Sequence, residues 1–396
     1  MNKEQKAFLL LIKSAFTDEK YFLDEKVDLR IIFSIAEKHG LTSLIYSGAH
    51  NCGLLNNEEI SQNAFSLVCK NMVMSEIQMF AYEEMISEFE KGDVHYLPLK
   101  GVRLKYLYPK PEMRTMSDID ILIKIKQYDK IKEIMVALGY EPVVESDHEL
   151  IWRRKAVTVE LHKRLIPSYN KDYFAYFGDG WQLAHEKEEN SNEYCLKAED
   201  EFVFIFLHMA KHYRDAGVGI KHILDVWVFM NSNKELNYDY IKDQLIKLKV
   251  YEFYQNVTKM LDTWFNGEEE SDITNYITNA VFNGGVFSTE EAKVLSATLK
   301  GVKEGNSVKD LKRKRFFTSI FTPYKIMCDF YPFLKKCAIL LPFMWVYHLF
   351  RRLFTKGKLK KYRKQISEMQ DDKVDAYKKS LNYVGLDYNF GVEQED

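Results

Sequence analysis

Glycine, proline and cysteine are scarce in this chain, at 18, 8 and 5 of 396 residues. So little glycine and proline excludes collagen-like repeats and glycine-serine linkers, while 46% hydrophobic and 14% aromatic residues supply ample material for packed cores. A charge imbalance is missing as well: 56 Lys+Arg against 58 Asp+Glu leave a formal charge of −2. That balance excludes a globally basic nucleic-acid coat and an acidic tail protein. The cysteines (Cys52, Cys69, Cys195, Cys328, Cys337) are odd in number, scattered and without a CxxC pair. They read as buried or idle thiols in a reducing compartment, and a zinc site is not expected. The longest apolar run, Ala338 to Phe350, is bracketed by Lys335-Lys336 and Arg351-Arg352 and interrupted by Pro342. It falls short of the ~20 residues a membrane-spanning helix needs. The short Ala7 to Ile12 run has charges on both sides and no small-residue cleavage site after it, so no secretory signal is expected and a cytoplasmic location is.

The pattern of what is present divides the chain. Residues 1–90 repeat apolar positions at three-to-four spacing (Ala7, Leu10, Leu11; Ile31, Ile32, Ile35; Met72, Ile77, Phe80, Ala81, Met85), which predicts a helical N-terminal domain, with the Met72 to Met85 stretch as core. Over 91–166 the text changes: Val94 to Leu99 reads as a strand running into a helix-like Val102 to Tyr108, and Asp118 to Lys124 alternates acid and aliphatic as a half-buried strand does. A helix over Tyr128 to Leu138, closed by Gly139, and strand-like pieces at 141–144, 149–154 and 157–163 complete a small mixed module. Helical spacing returns over 167–299, in Phe202 to Tyr213, His222 to Asn231, Tyr240 to Leu248 and Tyr251 to Phe265. The last region, 300–396, is basic and aromatic-rich. The fold class expected is α+β, a small mixed sheet with helices flanked by helical N- and C-terminal regions.

The chemistry concentrates in the 91–166 module. Asp118 and Asp120 stand at i and i+2, so on a strand their carboxylates leave the same face and repel each other unless a cation lies between them. Mg²⁺ prefers oxygen ligands of this kind and keeps open positions for substrate phosphates. Glu160, on an alternating strand after the intervening helix, is placed to be the third acid of a two-metal site. Upstream, Lys100 and Gly101 lie at a strand-to-helix junction, where glycine lets a phosphate approach backbone N–H groups. Lys100 adds a point charge, Arg114 can fork onto two phosphate oxygens, and Ser117 offers a hydroxyl or merely starts the strand.

The run from Leu99 to Ile123, with Lys100-Gly101, Tyr108-Pro109 and an RxxSDxD pattern from Arg114 to Asp120, followed by Glu160-Leu161-His162, resembles the uncharacterised nucleotidyltransferase family of the DNA polymerase β-like superfamily. The similarity extends more weakly to about Asp225. It implies a polymerase β-like nucleotidyltransferase core, a flanking helical domain that helps form the cleft, and Mg²⁺- or Mn²⁺-dependent use of a nucleoside triphosphate, ATP among the candidates. It further implies that Asp118, Asp120 and Glu160 hold the metal and that Lys100, Gly101, Arg114 and Ser117 bind the triphosphate. Two positions depart from the superfamily's usual pattern: Lys100-Gly101-Val102 replaces a Gly-Ser or Gly-Gly turn, and Glu160 stands where Asp is usual.

His208 and His212, at i and i+4 on a helix, and Lys221 and Asp225 beyond them, read either as lining for the nucleotide cleft or as ordinary helix residues; no third clear ligand accompanies the histidines. His162 either orients Glu160 or touches substrate. Between Lys300 and Gln365 there are 18 Lys+Arg and 3 Asp+Glu, a net of +15. That segment suits an anionic membrane surface or the acidic remainder of the chain, and nucleic acid is not expected as a partner. A glycosyltransferase whose DxD holds a nucleotide sugar, and a non-catalytic nucleotide-binding scaffold, are the rival readings. The first wants an alternating β/α half before the DxD and gives Glu160 no task.

Overall fold

The computed structural model describes residues 1–23, 27–215, 217–233, 235–284, 290–324, 327–328, 331–354 and 369–389. These fall into two compact units, one of Met1–Tyr213, Gly217–Phe287 and the stretch from Val384, the other of Arg214–Ala216 and Ser288–Tyr383.

In the first unit, α1 (Lys3–Thr17) starts at a capping box in which Asn2 accepts from the Gln5 N–H and Gln5 accepts from the Asn2 N–H. Helices α2 (Leu29–His39) and α3 (Thr42–Asn51) follow. The backbones of α1 and α3 approach so closely that a Cβ on Gly48 would stand 2.0 Å from the Leu11 carbonyl oxygen, which explains the glycine there. His39 is fully buried, receives the Ile220 N–H on Nδ1 and faces the Phe282 carbonyl with Nε2; burial holds its pKa down at about 4.

Helix α4 (Glu58–Lys91) buries Ala81, Met85 and Phe89 against the sheet described below. The expectation that the whole Met72 to Met85 stretch is core needs correction, because Met72, Ile77 and Phe80 are 44%, 42% and 68% exposed. A helix of 34 residues runs on the order of 50 Å. Only one stripe of its C-terminal half meets the sheet, and periodicity alone does not say which apolar positions have a partner.

The sheet has the order β1-β2-β5-β4-β3, formed by β1 (Tyr96–Pro98), β2 (Ile119–Ile123), β3 (Glu141–Glu145), β4 (Glu149–Arg154) and β5 (Val157–His162). It is mixed: β2 and β5 are parallel, and the other neighbours are antiparallel. A short helix α5 (Gly101–Leu104) follows β1, and α6 (Tyr128–Ala137) crosses from β2 toward β3. Because side chains alternate along a strand, Ile119, Ile121, Ile123, Val159 and Leu161 enter one core with Met85 and Phe89 of α4 and Ile131 and Met135 of α6. The α+β class and the helix-strand order of this module are as the sequence predicts. A two-stranded ribbon, β6 (Ala184–Glu186) with β7 (Tyr194–Leu196), was not foreseen.

After α7 (Lys171–Phe177), the unit continues with α8 (Ala198–Asp215), α9 (Ile220–Ser232), α10 (Tyr238–Lys247), α11 (Tyr251–Phe265) and α12 (Asp272–Gly284). The second unit holds α13 (Glu290–Lys303), α14 (Val308–Ile320) and helices over Leu341–Phe354 and Asp371–Tyr383. Met327, Cys328, Tyr331 and Leu334 form a small core there, covered by Leu341, Met344 and Trp345. The basic stretch Lys356 to Lys364 lies outside the described residues. No helix among those described is long and apolar enough to cross a membrane.

Candidate active site

The sheet face opposite the core carries the acids. Asp120 pairs in register with Glu160 across the parallel β2/β5 ladder, and His162 follows two residues on along β5. Asp118 immediately precedes β2 on the same side as Asp120. These residues line a cavity of about 550 Å³, together with Lys100, Gly101, Arg114, Ser117, His208, His212, Lys221 and Asp225. The candidate site residues named from the sequence thus lie around one cavity.

Asp120 is 5% exposed and its Oδ1 receives the Lys100 ammonium at 2.9 Å and faces His162 Nε2 at 2.7 Å. Burial alone would raise its pKa, but Lys100 and His162 outweigh burial and hold the carboxyl far below its usual range. Its neighbours go the other way. Burial, then the charge of Asp120, raises Asp118. Burial, then Asp118 and Asp120, pushes Glu160 up to about 8. At Asp118 and Glu160 burial and the neighbouring acids thus outweigh the lysine ammonium groups, and a bound cation would relieve that crowding of carboxyls. One ligand atom each from Asp120, Glu160 and His162 lies within 4.8 Å of the other two, and the donor set, mostly carboxylate, fits a hard divalent ion.

Lys100 lies where the chain leaves β1, with φ 45° and ψ −111°, a left-handed backbone that a non-glycine residue adopts only at a cost of ~1–3 kcal/mol. The turn is fixed because the Leu99 N–H donates to the Asp120 carbonyl at 3.0 Å. Gly101 is buried, and a Cβ there would stand 2.8 Å from both Arg114 Nη1 and Met116 Sδ. In the structure the glycine makes room for those two side chains.

The loop that delivers Asp118 is fastened from three sides. Gln78 of α4 donates to the Met116 carbonyl at 3.1 Å, Thr115 Oγ1 donates to the Gly40 carbonyl at 2.9 Å, and Lys221 of α9 donates to the Thr115 carbonyl at 3.1 Å. Arg114 is 6% exposed and forks onto Asp225 of α9, with Tyr108 donating to the same carboxylate. Asp225 keeps the Arg114 cation charged despite its burial. Burial and then Arg114 lower Lys221 to about 8.

Helices α8 and α9 supply the facing wall. His208 and His212 bring their Nε2 atoms to 3.2 Å of each other, and burial, reinforced by Lys100 and Lys211, keeps both well below the usual imidazole pKa. Five of the chain's ten histidines line this cavity: His148, His162, His208, His212 and His222. Sequence reasoning passed over His148, Glu149 and Lys211. They belong to no motif, and only the β4/β5 register, which sets Glu149 opposite His162, brings the β3–β4 turn to the site.

A mixed five-stranded sheet that carries acids on two parallel neighbours into a lysine- and histidine-lined cavity is the arrangement of a nucleotidyltransferase domain. The chain belongs to the family described as uncharacterised nucleotidyltransferase, which matches residues 25–266. That membership implies a nucleoside triphosphate as substrate. No curated protein and no solved structure matches the chain.

Proposed function

We propose that this protein transfers a nucleoside monophosphate from a nucleoside triphosphate to a hydroxyl-bearing acceptor in a Mg²⁺- or Mn²⁺-dependent reaction. The observation that carries the reading is the convergence of Asp118, Asp120 and Glu160 on one cavity, because carboxyls crowded in a buried site, two of them raised in pKa by burial and then by their acidic neighbours, gain from a divalent cation. Asp118, Asp120 and Glu160 would hold the metal, which when bound supplies charge neutralisation at the phosphates and a lowered pKa for the attacking hydroxyl. Lys100 and Lys221 place two ammonium groups beside the acids for the triphosphate, and Arg114, held by Asp225, keeps the Gly101 turn and the Ser117 loop together. In the overall reaction the acceptor oxygen loses its proton and bonds to the α-phosphorus, and the bond from that phosphorus to pyrophosphate breaks. His208 and His212, neutral because of burial, offer hydrogen bonds to the sugar or base.

The test is label transfer. The protein is incubated with α-labelled ATP, GTP, CTP or UTP, Mg²⁺ or Mn²⁺ and cell extract, beside Asp118→Asn and Asp120→Asn. Label on an acceptor that both substitutions abolish supports the reading, and undiminished transfer in both removes it. The rival glycosyltransferase reading needs a β/α half ahead of the acids, and α1 to α4 occupy that stretch.

We also propose a cytoplasmic protein in peripheral contact with an anionic membrane through its basic, aromatic C-terminal segment. On the helix Leu341–Phe354, Phe343, Val346, Tyr347 and Phe350 are exposed at i, i+3, i+4 and i+7. The opposite face, with Met344 and Trp345, covers the small core. A helix apolar on both faces, with exposed Lys335, Lys336 and Arg351 beside it and no acid over 331–354, matches a negatively charged lipid interface.

A further inference from the structure

The polar face of the sheet continues past the three acids into a second set of donors. Glu149 stands opposite His162 in the antiparallel β4/β5 ladder, and His148 precedes it in the β3–β4 turn. One ligand atom from each of His148, Glu149 and His162 lies within 4.8 Å of the other two. His148 Nε2 is 3.8 Å from Glu149 Oε2, and the two imidazole rings have centroids 5.0 Å apart. His162 is 2% exposed, and with Nε2 on Asp120 Oδ1 at 2.7 Å its Nδ1 is the nitrogen left over. That Nδ1 is buried without a hydrogen-bond partner, and so is Nδ1 of His148.

A buried polar atom left unsatisfied is costly, so two neighbouring imidazoles that each keep one unsatisfied nitrogen, with the Glu149 carboxylate close by, call for an explanation. A carboxylate bound to one imidazole nitrogen is the usual means of fixing the tautomer of a metal-ligating histidine, and Asp120 stands in that relation to His162. Two imidazoles with one carboxylate favour a borderline transition ion over Mg²⁺, whose preference is for oxygen alone.

We propose that His148, Glu149 and His162 bind a divalent transition-metal ion of the zinc type, beside the ions that Asp118, Asp120 and Glu160 would hold. Three protein ligands leave coordination positions open, and all three residues line the active-site cavity, so a bound ion faces the substrate side. Asp120 joins the two sites through His162. The proposal does not depend on nucleotide transfer, since binding of the ion needs neither triphosphate nor acceptor.

The probe is Co²⁺, whose visible ligand-field absorption reports nitrogen-containing sites. The full chain, stripped with chelator, is titrated with Co²⁺ in a large excess of Mg²⁺, which occupies the all-oxygen set. One equivalent is expected to bind with developed visible bands. His148→Ala and Glu149→Gln should each weaken binding at least tenfold, and Asp118→Asn, outside the donor set, should retain it. Far-UV circular dichroism of the metal-free proteins checks that each variant is folded, and the isosteric Glu149→Gln serves if His148→Ala is not. Absence of Co²⁺ binding in excess Mg²⁺, or wild-type affinity in folded Glu149→Gln, overturns the proposal. The readout is independent of the label-transfer assay, so failure here leaves the nucleotidyltransferase reading standing, and the reverse also holds.

Discussion

Arg114 and Asp225 meet fork to fork, Nε to Oδ1 and Nη2 to Oδ2 at 2.7 Å each, and Tyr108 adds a third bond to the same carboxylate at 2.9 Å. The pair ties the loop before β2 to α9, so one interaction links both walls of the cavity.

Breaking that pair should be costly. Both side chains are buried, and removal of one partner leaves the other charge without compensation, a loss of ~3–5 kcal/mol. Asp225→Asn is expected to lower unfolding free energy in urea titrations by about 3 kcal/mol. The double variant Arg114→Met/Asp225→Leu should lose less than the two single changes added together, because no orphan charge remains. Wild-type stability in Asp225→Asn would mean that the clamp contributes nothing.

Glu160 leads to a pH-dependent prediction. Its folded-state pKa of about 8, raised from 4.5 by burial and then by Asp118 and Asp120, means that the folded protein favours the protonated acid. The stabilisation that this proton brings is complete below pH 4.5 and is lost as pH rises through 8. In metal-free buffer, Glu160→Gln should therefore grow more stable than wild type across that window, by at least about 1.4 kcal/mol, the worth of one pKa unit, at its alkaline end. Mg²⁺ should reverse the order, since only the wild type keeps all three acids for it, and its affinity should rise by up to about tenfold per pH unit below 8 as the proton is released. Thermal melts from pH 5 to 9, with and without Mg²⁺, follow both effects.

How far the residues themselves disclosed this site depends on whether the signal is local. Asp120 lies on a short strand and Asp118 just ahead of it, in a stretch whose alternation is visible in Asp118-Ile-Asp-Ile-Leu-Ile123, and Glu160 lies on another strand, so the sheet and the acids were legible. The partner of Arg114 was not: Asp225 is 111 residues away, and no pattern says that two charges will meet. Gly101 was read from the sequence as room for a phosphate at a strand-to-helix turn, and its close contact with Arg114 and Met116 was not legible there. Met72, Ile77 and Phe80 show the limit of periodicity, which records an apolar stripe without recording what lies opposite.

Gly101→Ala tests that packing. The added Cβ would meet Arg114 Nη1 and Met116 Sδ at 2.8 Å. Both are ends of flexible side chains, so they can move, but Met116 leads into the Asp118 loop and Arg114 into the Asp225 clamp. A destabilisation of ~1–3 kcal/mol is expected, the usual cost of an extra methyl in a packed site. Triphosphate binding, followed by calorimetry with a non-hydrolysable analogue and Mg²⁺, should weaken along with it. Equal stability and equal binding in the alanine variant would show that the site has room to spare.

The helix Leu341–Phe354 poses a question of partition. Phe343 and Phe350 are 73% and 54% exposed on one face, and transfer of a phenylalanine side chain out of water is worth ~1.5–3 kcal/mol. Nearby lysines and arginines each add about 1 kcal/mol at a negatively charged lipid surface and nothing at a neutral one. The full chain should therefore sediment with phosphatidylserine-containing vesicles, release as salt is raised, and bind pure phosphatidylcholine far less. Phe343→Ser/Phe350→Ser should cut the partition coefficient by at least tenfold while the small core of Met327, Cys328, Tyr331 and Leu334, which faces the other side of the helix, stays intact. Equal partition of the double variant and the wild type would assign the exposed aromatics to something other than lipid.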